Sequence, residues 1–412
     1  EEKINTLCWS GLDKITTEVR AFYEAYPYPP EGQVDCDGYH GPLLLSYLQR
    51  TCSKLTRLKL LEAGCGRGLN LQTMAGKQTE VDFTGIDINR IAVQEATQRS
   101  KELGLENLQF LLADLLDKHT LPGVSGGYDI ILSYGVLHHL SDPLQGLQHL
   151  TTLLASDGVI ALMLDGSFGR QPLERYLQAL DLVQLRSKSG KDRSPVARAL
   201  AHAAEEQLFK GNYWQGTSRV DEIEFADRCL HVHQTSYDLT ALWQLLNSAG
   251  LCFIRWLEPN DWSLQSIIDD QDLLCQLEML DEISRYQLIE RLTYRPKLTL
   301  LAARQGSMPR SPLLVNQVAS SQFAINPQLH LNRHEVNGLT CTLRRRHIDL
   351  NHNACCQNIL QKAEQLLRGF TGQNMVDMLA EQDYEPQQVL QGIQDLVESE
   401  LLYRPHPEQD MV

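Results

Sequence analysis

At 412 residues with 42% hydrophobic side chains, the chain is long enough for two domains, one large and one small. No apolar run reaches the length of a membrane span and the start, Glu1 to Arg20, is polar and unlike a signal peptide, so neither a spanning segment nor a secretory leader is expected and a cytoplasmic location is the expectation. A net charge of -15 opposes a nucleic-acid partner, and ten cysteines without a CxxC pair predict reduced thiols and no metal site.

The first segment with unusual chemistry is Arg20-Ala21-Phe22-Tyr23-Glu24-Ala25-Tyr26-Pro27-Tyr28-Pro29-Pro30. Its prolines force an extended path, and tyrosines crowd around them. One reading is an amphipathic helix that stops at Pro27 and packs its aromatics on the core. The other is a lid, whose aromatic faces and phenol oxygens suit a cationic ligand and keep water out.

The apolar run Leu58 to Leu61 predicts a buried parallel strand. It runs into Glu62-Ala63-Gly64-Cys65-Gly66-Arg67-Gly68, a turn whose glycines let backbone approach a ligand closely, with Cys65 as a small filler and a helix from Leu69 onwards. A dinucleotide fingerprint would need glycine where the chain has Leu69. The next strand, Val81 to Ile86, ends in Asp87, whose carboxylate can accept from both hydroxyls of a ribose. Leu108 to Ala113 ends in Asp114, a carboxylate suited to an adenine amino group. Tyr128 to Leu132 opens into Ser133-Tyr134-Gly135-Val136-Leu137-His138-His139-Leu140, and Gly158 to Leu164 ends in Asp165. Helical stretches between these strands call for an α/β, doubly wound parallel sheet with its ligand at the carboxyl ends of the strands.

The strands, the glycine turn, Asp87, Asp114 and the run Val136 to Leu140 together resemble the Rossmann-type S-adenosylmethionine-dependent methyltransferases, over roughly residues 40 to 165. The resemblance implies that Glu62, Gly64, Gly66 and Gly68 frame the methionine part of S-adenosylmethionine. Asp87 would hold the ribose, Asp114 with Leu115 the adenine, and Ile88 and Tyr134 would complete the cofactor contacts. The F-Y-x-x-Y-P-Y-P segment is similar to a subgroup of bacterial methyltransferases with an extra C-terminal regulatory domain, among whose relatives are lysine methyltransferases acting on outer-membrane proteins. The chemistry implied is in-line displacement at an activated methyl group, so positioning and desolvation do most of the work and a base is needed only for a protonated nucleophile. Candidates beside the cofactor are His138, His139, Tyr26, Tyr28 and Asp165; His138 is taken as the base, with Tyr26 and Tyr28.

A helical insertion is expected at about 171 to 240, with helical spacing over Leu173 to Leu185, a polar break from Ser187 to Ser194, and a second helix over Val196 to Leu208. Within it, Asp227-Arg228-Cys229-Leu230-His231 resembles an Asp-x-x-Leu-His element of the same subgroup. His231 and His233 lack a third ligand at a telling spacing and are read as ordinary hydrogen-bonded histidines. Leu251 to Trp256 and Lys297 to Arg304 should finish the sheet as an antiparallel pair, closing a domain of residues 41 to 306 behind an N-terminal segment of residues 1 to 40.

After a linker over 307 to 321, residues 322 to 412 change character. Short extended pieces over Phe323 to Asp349 precede helices at about Ala354 to Arg368, Asn374 to Glu381 and Pro386 to Glu400, and a strand at Leu401 to Arg404. Asn351 is a candidate cap of the first helix and Gly369 its stop. This order predicts a small α+β, winged-helix-like unit. Residues 307 to 412 hold 8 Lys and Arg against 12 Asp and Glu, and Gln387 to Leu396 has no basic residue, so a DNA-recognition helix is excluded. The unit also resembles small peptide-chaperone domains, with Ile348-Asp349-Leu350-Asn351 entering the first helix, and in those domains a peptide adds to a sheet edge as a further strand. Arg344-Arg345-Arg346 would meet an acidic peptide, or else form a solvated charged hairpin.

These features predict methyl transfer from S-adenosylmethionine to a protein or peptide, at a lysine amine or a carboxylate. The alternatives are a small-molecule O- or N-methyltransferase whose last domain dimerises or regulates it, compatible with an oligomer, and a cofactor-binding protein without transfer activity.

Overall fold

The computed structural model describes residues 13–30, 40–49, 57–185, 193–334, 338–343, 346–350, 353–366, 369–382 and 384–405. The chain divides into two compact units, one of residues 1–36 and 57–307, the other of residues 37–56 and 308–412. The large domain therefore ends where its strand pattern ends. The segment from residue 41 onwards, expected to open that domain, belongs instead with the second unit: helix α2 (Gly41–Ser46) buries Leu43, Leu44 and Leu45, and Leu48 bridges to Pro309.

In the first unit, α1 (Lys14–Ala25) starts at Asp13, whose carboxylate accepts from Thr16 N at 3.0 Å, and stops short of Pro27. Strands β1 (Leu58–Ala63), β2 (Val81–Asp87), β3 (Leu108–Leu112), β4 (Tyr128–Tyr134), β5 (Leu154–Asp165), β6 (Leu251–Trp256) and β7 (Lys297–Arg304) form one sheet in the order β3-β2-β1-β4-β5-β7-β6. The first five run parallel, and β7 inserts antiparallel between β5 and β6, as the last two segments predicted. Strand order reverses beside β1, where the turn after β1 and the loop after β4 diverge, and a ligand crevice belongs at that point.

Helices α3 (Leu69–Lys77), α4 (Arg90–Glu102), α5 (Pro143–Leu153), α9 (Leu239–Ser248), α10 (Gln271–Glu278) and α11 (Glu282–Leu292) accompany the strands, and the insertion supplies α6 (Ser167–Leu182), α7 (Arg193–Ala204) and α8 (Glu222–Cys229). The insertion has its own core, in which Phe22 and Tyr26 of the N-terminal segment join Leu173, Tyr176, Phe209 and Phe225. Helix α7 starts three residues earlier than its apolar spacing suggests. Two residues of the supposed polar break are anchored instead: Ser194 donates to Glu222 at 2.9 Å and Arg193 to the Leu230 carbonyl at 3.3 Å.

Glu290 on α11 is 1% exposed, accepts from Leu239 N at 3.0 Å, and is pushed up to about 7 by burial. A carboxyl raised above its unfolded value stabilises the fold fully when protonated in both states and loses that contribution as pH rises through the folded value. Glu290→Gln is therefore expected to gain stability relative to the parent as pH goes from about 5 to about 8, by up to about 3 kcal/mol, measured as urea midpoints. Equal pH slopes for the two proteins would contradict it.

The second unit holds α12 (Val315–Val318), β8 (Gln322–Ile325), β9 (Leu329–His334), β10 (Gly338–Leu343), β11 (Arg346–Asp349), α13 (Ala354–Ala363), β12 (Phe370–Thr371), α14 (Gly372–Leu379), α15 (Pro386–Glu398) and β13 (Leu402–Tyr403). Its strands make two three-stranded sheets, β11-β10-β9 and β12-β8-β13, around Phe323, Ile359, Phe370, Met375 and Ile393. Helix α13 is capped by Asn353, whose side chain accepts from Cys356 N at 3.0 Å. Asn351, the expected cap, lies outside the described residues, as do Arg344 and Arg345. Among the described residues no helix is long and apolar enough to cross a membrane.

Candidate active site

A cavity of about 230 Å³ lies at the carboxyl ends of β1, β2, β4 and β5, walled also by α1 and the insertion. Its floor is the turn after β1. Gly66 has φ +52°, and a Cβ there would fall 2.6 Å from the Tyr28 carbonyl oxygen, so glycine is what lets the Tyr-Pro segment lie on the turn. Gly66 N donates to Asp87 Oδ2 at 2.8 Å, and Asn89 N to Asp87 Oδ1 at 2.8 Å, which fixes the carboxylate at the end of β2. Asn89 in turn caps α4 and donates from Nδ2 to the Tyr23 carbonyl at 3.0 Å, tying α1 to the same corner. Asp114 is fixed by Leu116 N at 2.8 Å. Burial raises the carboxyls of both Asp87 and Asp114.

Gly64, Gly66, Asp87, Ile88, Asp114, Leu115, Tyr134, Tyr28 and His138 all line the cavity, so the structure brings together most of the residues singled out in the sequence. Three do not line it. Glu62 is buried, with Oε1 accepting from Asn70 at 2.7 Å, Oε2 without a donor among the described residues, and its carboxyl pushed up to about 7 by burial. Gly68 begins α3 at φ +70°, and a Cβ there would meet the Phe110 ring at 2.3 Å, so it serves helix-on-sheet packing. Tyr26, expected among the catalytic groups, packs on Phe22 (5.2 Å between centroids) in the core of the insertion. The lining residue of that segment which the sequence did not single out is Tyr23. Its phenol donates to Asp227 Oδ1 at 3.0 Å.

The other end of the cavity is charged. Arg170, 3% exposed, places Nη1 3.1 Å from Asp165 Oδ2, and Gln234 Nε2 donates to the same oxygen. Arg228 pairs with Glu224 at 2.6 Å, and Lys297 and Tyr213 complete this wall. Nη2 of Arg170 has no hydrogen-bond partner among the described residues. His138 lies 3.6 Å from Asp165 through Nε2, and burial, with His139 and Arg170 nearby, holds its imidazole neutral, well below the usual histidine range. His139 stacks on His231 (3.8 Å between centroids) and donates from Nδ1 to the His233 carbonyl at 2.9 Å, while His233 Nε2 donates to the Leu140 carbonyl at 3.1 Å. Among the described residues no group of three His, Cys, Asp or Glu is arranged to hold a metal.

The groups present fit S-adenosylmethionine. The Asp87 carboxylate can accept from a ribose diol, Asp114 lines the same cavity as the apolar Ile88, Ala113, Leu115 and Leu140, a set suited to a purine, and Tyr28 and Tyr134, also in the lining, are aromatic residues of the type that suits a sulfonium. A family model described as a methyltransferase domain matches residues 55–208. An uncharacterized protein of Synechococcus sp., syc1184_c, is 30% identical over 317 residues, covering 73% of each chain. A ubiquinone biosynthesis O-methyltransferase of Histophilus somni is 34% identical over 121 residues, 29% of this chain and 50% of that one. Among solved structures, PKMT2 from Rickettsia typhi superposes with a TM-score of 0.69 at 15% identity, covering 92% of this chain and 78% of that one; its complex with AdoHcy gives 0.68. At that identity the likeness speaks to the fold.

Proposed function

Because the chain belongs to the Rossmann-type S-adenosylmethionine-dependent methyltransferases, we propose that the acceptor of its methyl group is a protein or peptide side chain. The observation that carries this is the charge of the acceptor end: Asp165, Arg170, Glu224, Asp227, Arg228 and Lys297 converge where an apolar acceptor would leave ionised groups without solvent. A side chain that is itself charged, a lysine amine or a carboxylate, suits that wall.

When bound, the cofactor supplies a methyl group already activated on a sulfonium. The protein's share is binding, orientation and exclusion of water. Asp87 and Ile88 hold the ribose, Asp114 and Leu115 the adenine, and Gly64, Gly66 and Tyr134 the methionine part. Tyr28, lying on the glycine turn, covers it. His138, held neutral by burial, steadies Asp165 rather than taking a proton. The second unit recruits the acceptor chain by strand addition, since β9 and β11 end their sheet and carry edges for a further strand. The likeness to ubiquinone biosynthesis O-methyltransferases favours a second reading, methylation of a small molecule.

Incubating the full chain with methyl-labelled S-adenosylmethionine and a cell lysate separates the two. Label is expected in the protein fraction. Label confined to small metabolites would overturn the proposal and install the second reading.

A further inference from the structure

Two residues with no part in cofactor binding, Tyr23 of F-Y-x-x-Y-P-Y-P and Asp227 of Asp-x-x-Leu-His, lie 204 residues apart and meet in this cavity through one hydrogen bond, Tyr23 Oη to Asp227 Oδ1 at 3.0 Å. The two motifs to which they belong meet again at His231, which packs on Phe22 at 4.7 Å and on Tyr23 at 5.3 Å between ring centroids. The helix that carries Tyr23 is tied by its carbonyl to Asn89 beside Asp87, so one helix spans the cofactor corner and the acceptor end.

Three carboxylates and three cations line the acceptor end, Lys297 lies over the Tyr213 ring, and Asp227 is the carboxylate that none of the cations pairs. Asp165 has Arg170 at 3.1 Å and Glu224 has Arg228 at 2.6 Å, whereas Asp227 has the Tyr23 phenol and no cation within ion-pair distance among the described residues. Asp227 is half-buried in the cavity wall, and a carboxylate partly withdrawn from water without a counter-ion carries a cost that falls away when a cation arrives or the group takes a proton. We propose that Asp227, oriented by Tyr23, seats the ammonium of an acceptor lysine and takes its proton, so that the atom methylated is an amine nitrogen. The inference rests on the protein-acceptor reading above and narrows it.

The step balances. The ammonium gives a proton to the Asp227 carboxylate, and the freed lone pair forms the nitrogen–carbon bond as the carbon–sulfur bond breaks with its electron pair going to sulfur. The product leaves as a methylated ammonium and the Asp227 proton passes to water. Burial, and then the neighbouring Glu224, push the Asp227 carboxyl up to about 7, which matches a proton acceptor working near neutrality. The charged and titratable groups facing it are Glu224 and Arg228 on its own helix, Tyr23 on α1, Asp165 at the end of β5, Arg170 on α6, and His231. The phenol stays protonated, since burial and Asp227 raise it well above its ordinary value, and so remains a donor to the carboxylate.

The test uses the full chain, labelled S-adenosylmethionine and lysate protein as acceptor, with initial rates across pH. Label should survive mild base and appear as methylated lysine after hydrolysis. The parent's rate should climb as pH rises through about 7, because the base must be ionised. Asp227→Asn should lower the rate at least about 100-fold and abolish that limb, with S-adenosylmethionine affinity by calorimetry kept within about twofold. Tyr23→Phe removes the donor that favours the ionised carboxylate, so its limb should move to higher pH, a displacement that a purely structural role would not produce. An Asp227→Asn rate within about threefold of the parent, a Tyr23→Phe limb that stays in place, or label present as a base-labile ester would each overturn the inference and leave the protein acceptor standing. Label found only in small molecules would instead sink the reading on which it rests.

Discussion

Asp87→Ala is expected to weaken S-adenosylmethionine binding by about 3 kcal/mol, on the order of 100-fold in Kd. Two losses add. Removing a charged acceptor from a ribose diol costs about 1.5 to 3 kcal/mol by itself. The same carboxylate also receives Gly66 N and Asn89 N, each at 2.8 Å, so its removal frees the floor of the site and the cap of α4 together. Asp87→Asn separates these contributions: the amide keeps one oxygen for a backbone N–H and forfeits the charge, so its affinity should fall between parent and Ala. Calorimetry showing an unchanged Kd for Asp87→Ala would withdraw Asp87 from the ribose.

What could be read in advance follows from how each residue is placed. Gly64, Asp87 and Asp114 stand at the ends of apolar runs, and a parallel sheet brings all such ends to one rim, so strand assignment alone puts them at the cavity. Glu62 misleads for the same reason: it ends the apolar run, but β1 continues to Ala63 and its side chain turns to Asn70. Within the Tyr-Pro segment, proximity to the prolines drew attention to Tyr26 and Tyr28, whereas helical spacing decides the outcome. Phe22 and Tyr26 are four apart on one face and enter the core together; Tyr23 is about 100° round the helix and faces the cavity. That distinction was available from the sequence once the helix was taken to run through Ala25. The partnership of Tyr23 with Asp227 was not, because nothing local announces a contact between residues 204 apart.

Asp165→Ala should be the most destabilising single change in the site, at about 3 kcal/mol by urea unfolding, because it leaves the buried Arg170 guanidinium only Glu174, 3.7 Å away and 41% exposed, as a carboxylate partner among the described residues. Asp165 and Arg170 have side chains only 7% and 4% exposed, and the oxygen that Arg170 approaches also receives Gln234 and lies near His138. Arg170→Met should cost less, since burial already raises the Asp165 carboxyl and a proton can replace the missing cation. Asp165→Leu combined with Arg170→Met replaces both charges by apolar side chains of similar size. Its loss should fall short of the summed losses of Asp165→Leu and Arg170→Met, giving a coupling energy of about 2 kcal/mol or more. Strictly additive losses would show that the two residues do not act as a pair. If stability returns in the double variant while methyl transfer does not, the pair is retained for the charge it presents to the acceptor, since an apolar replacement would serve the fold as well.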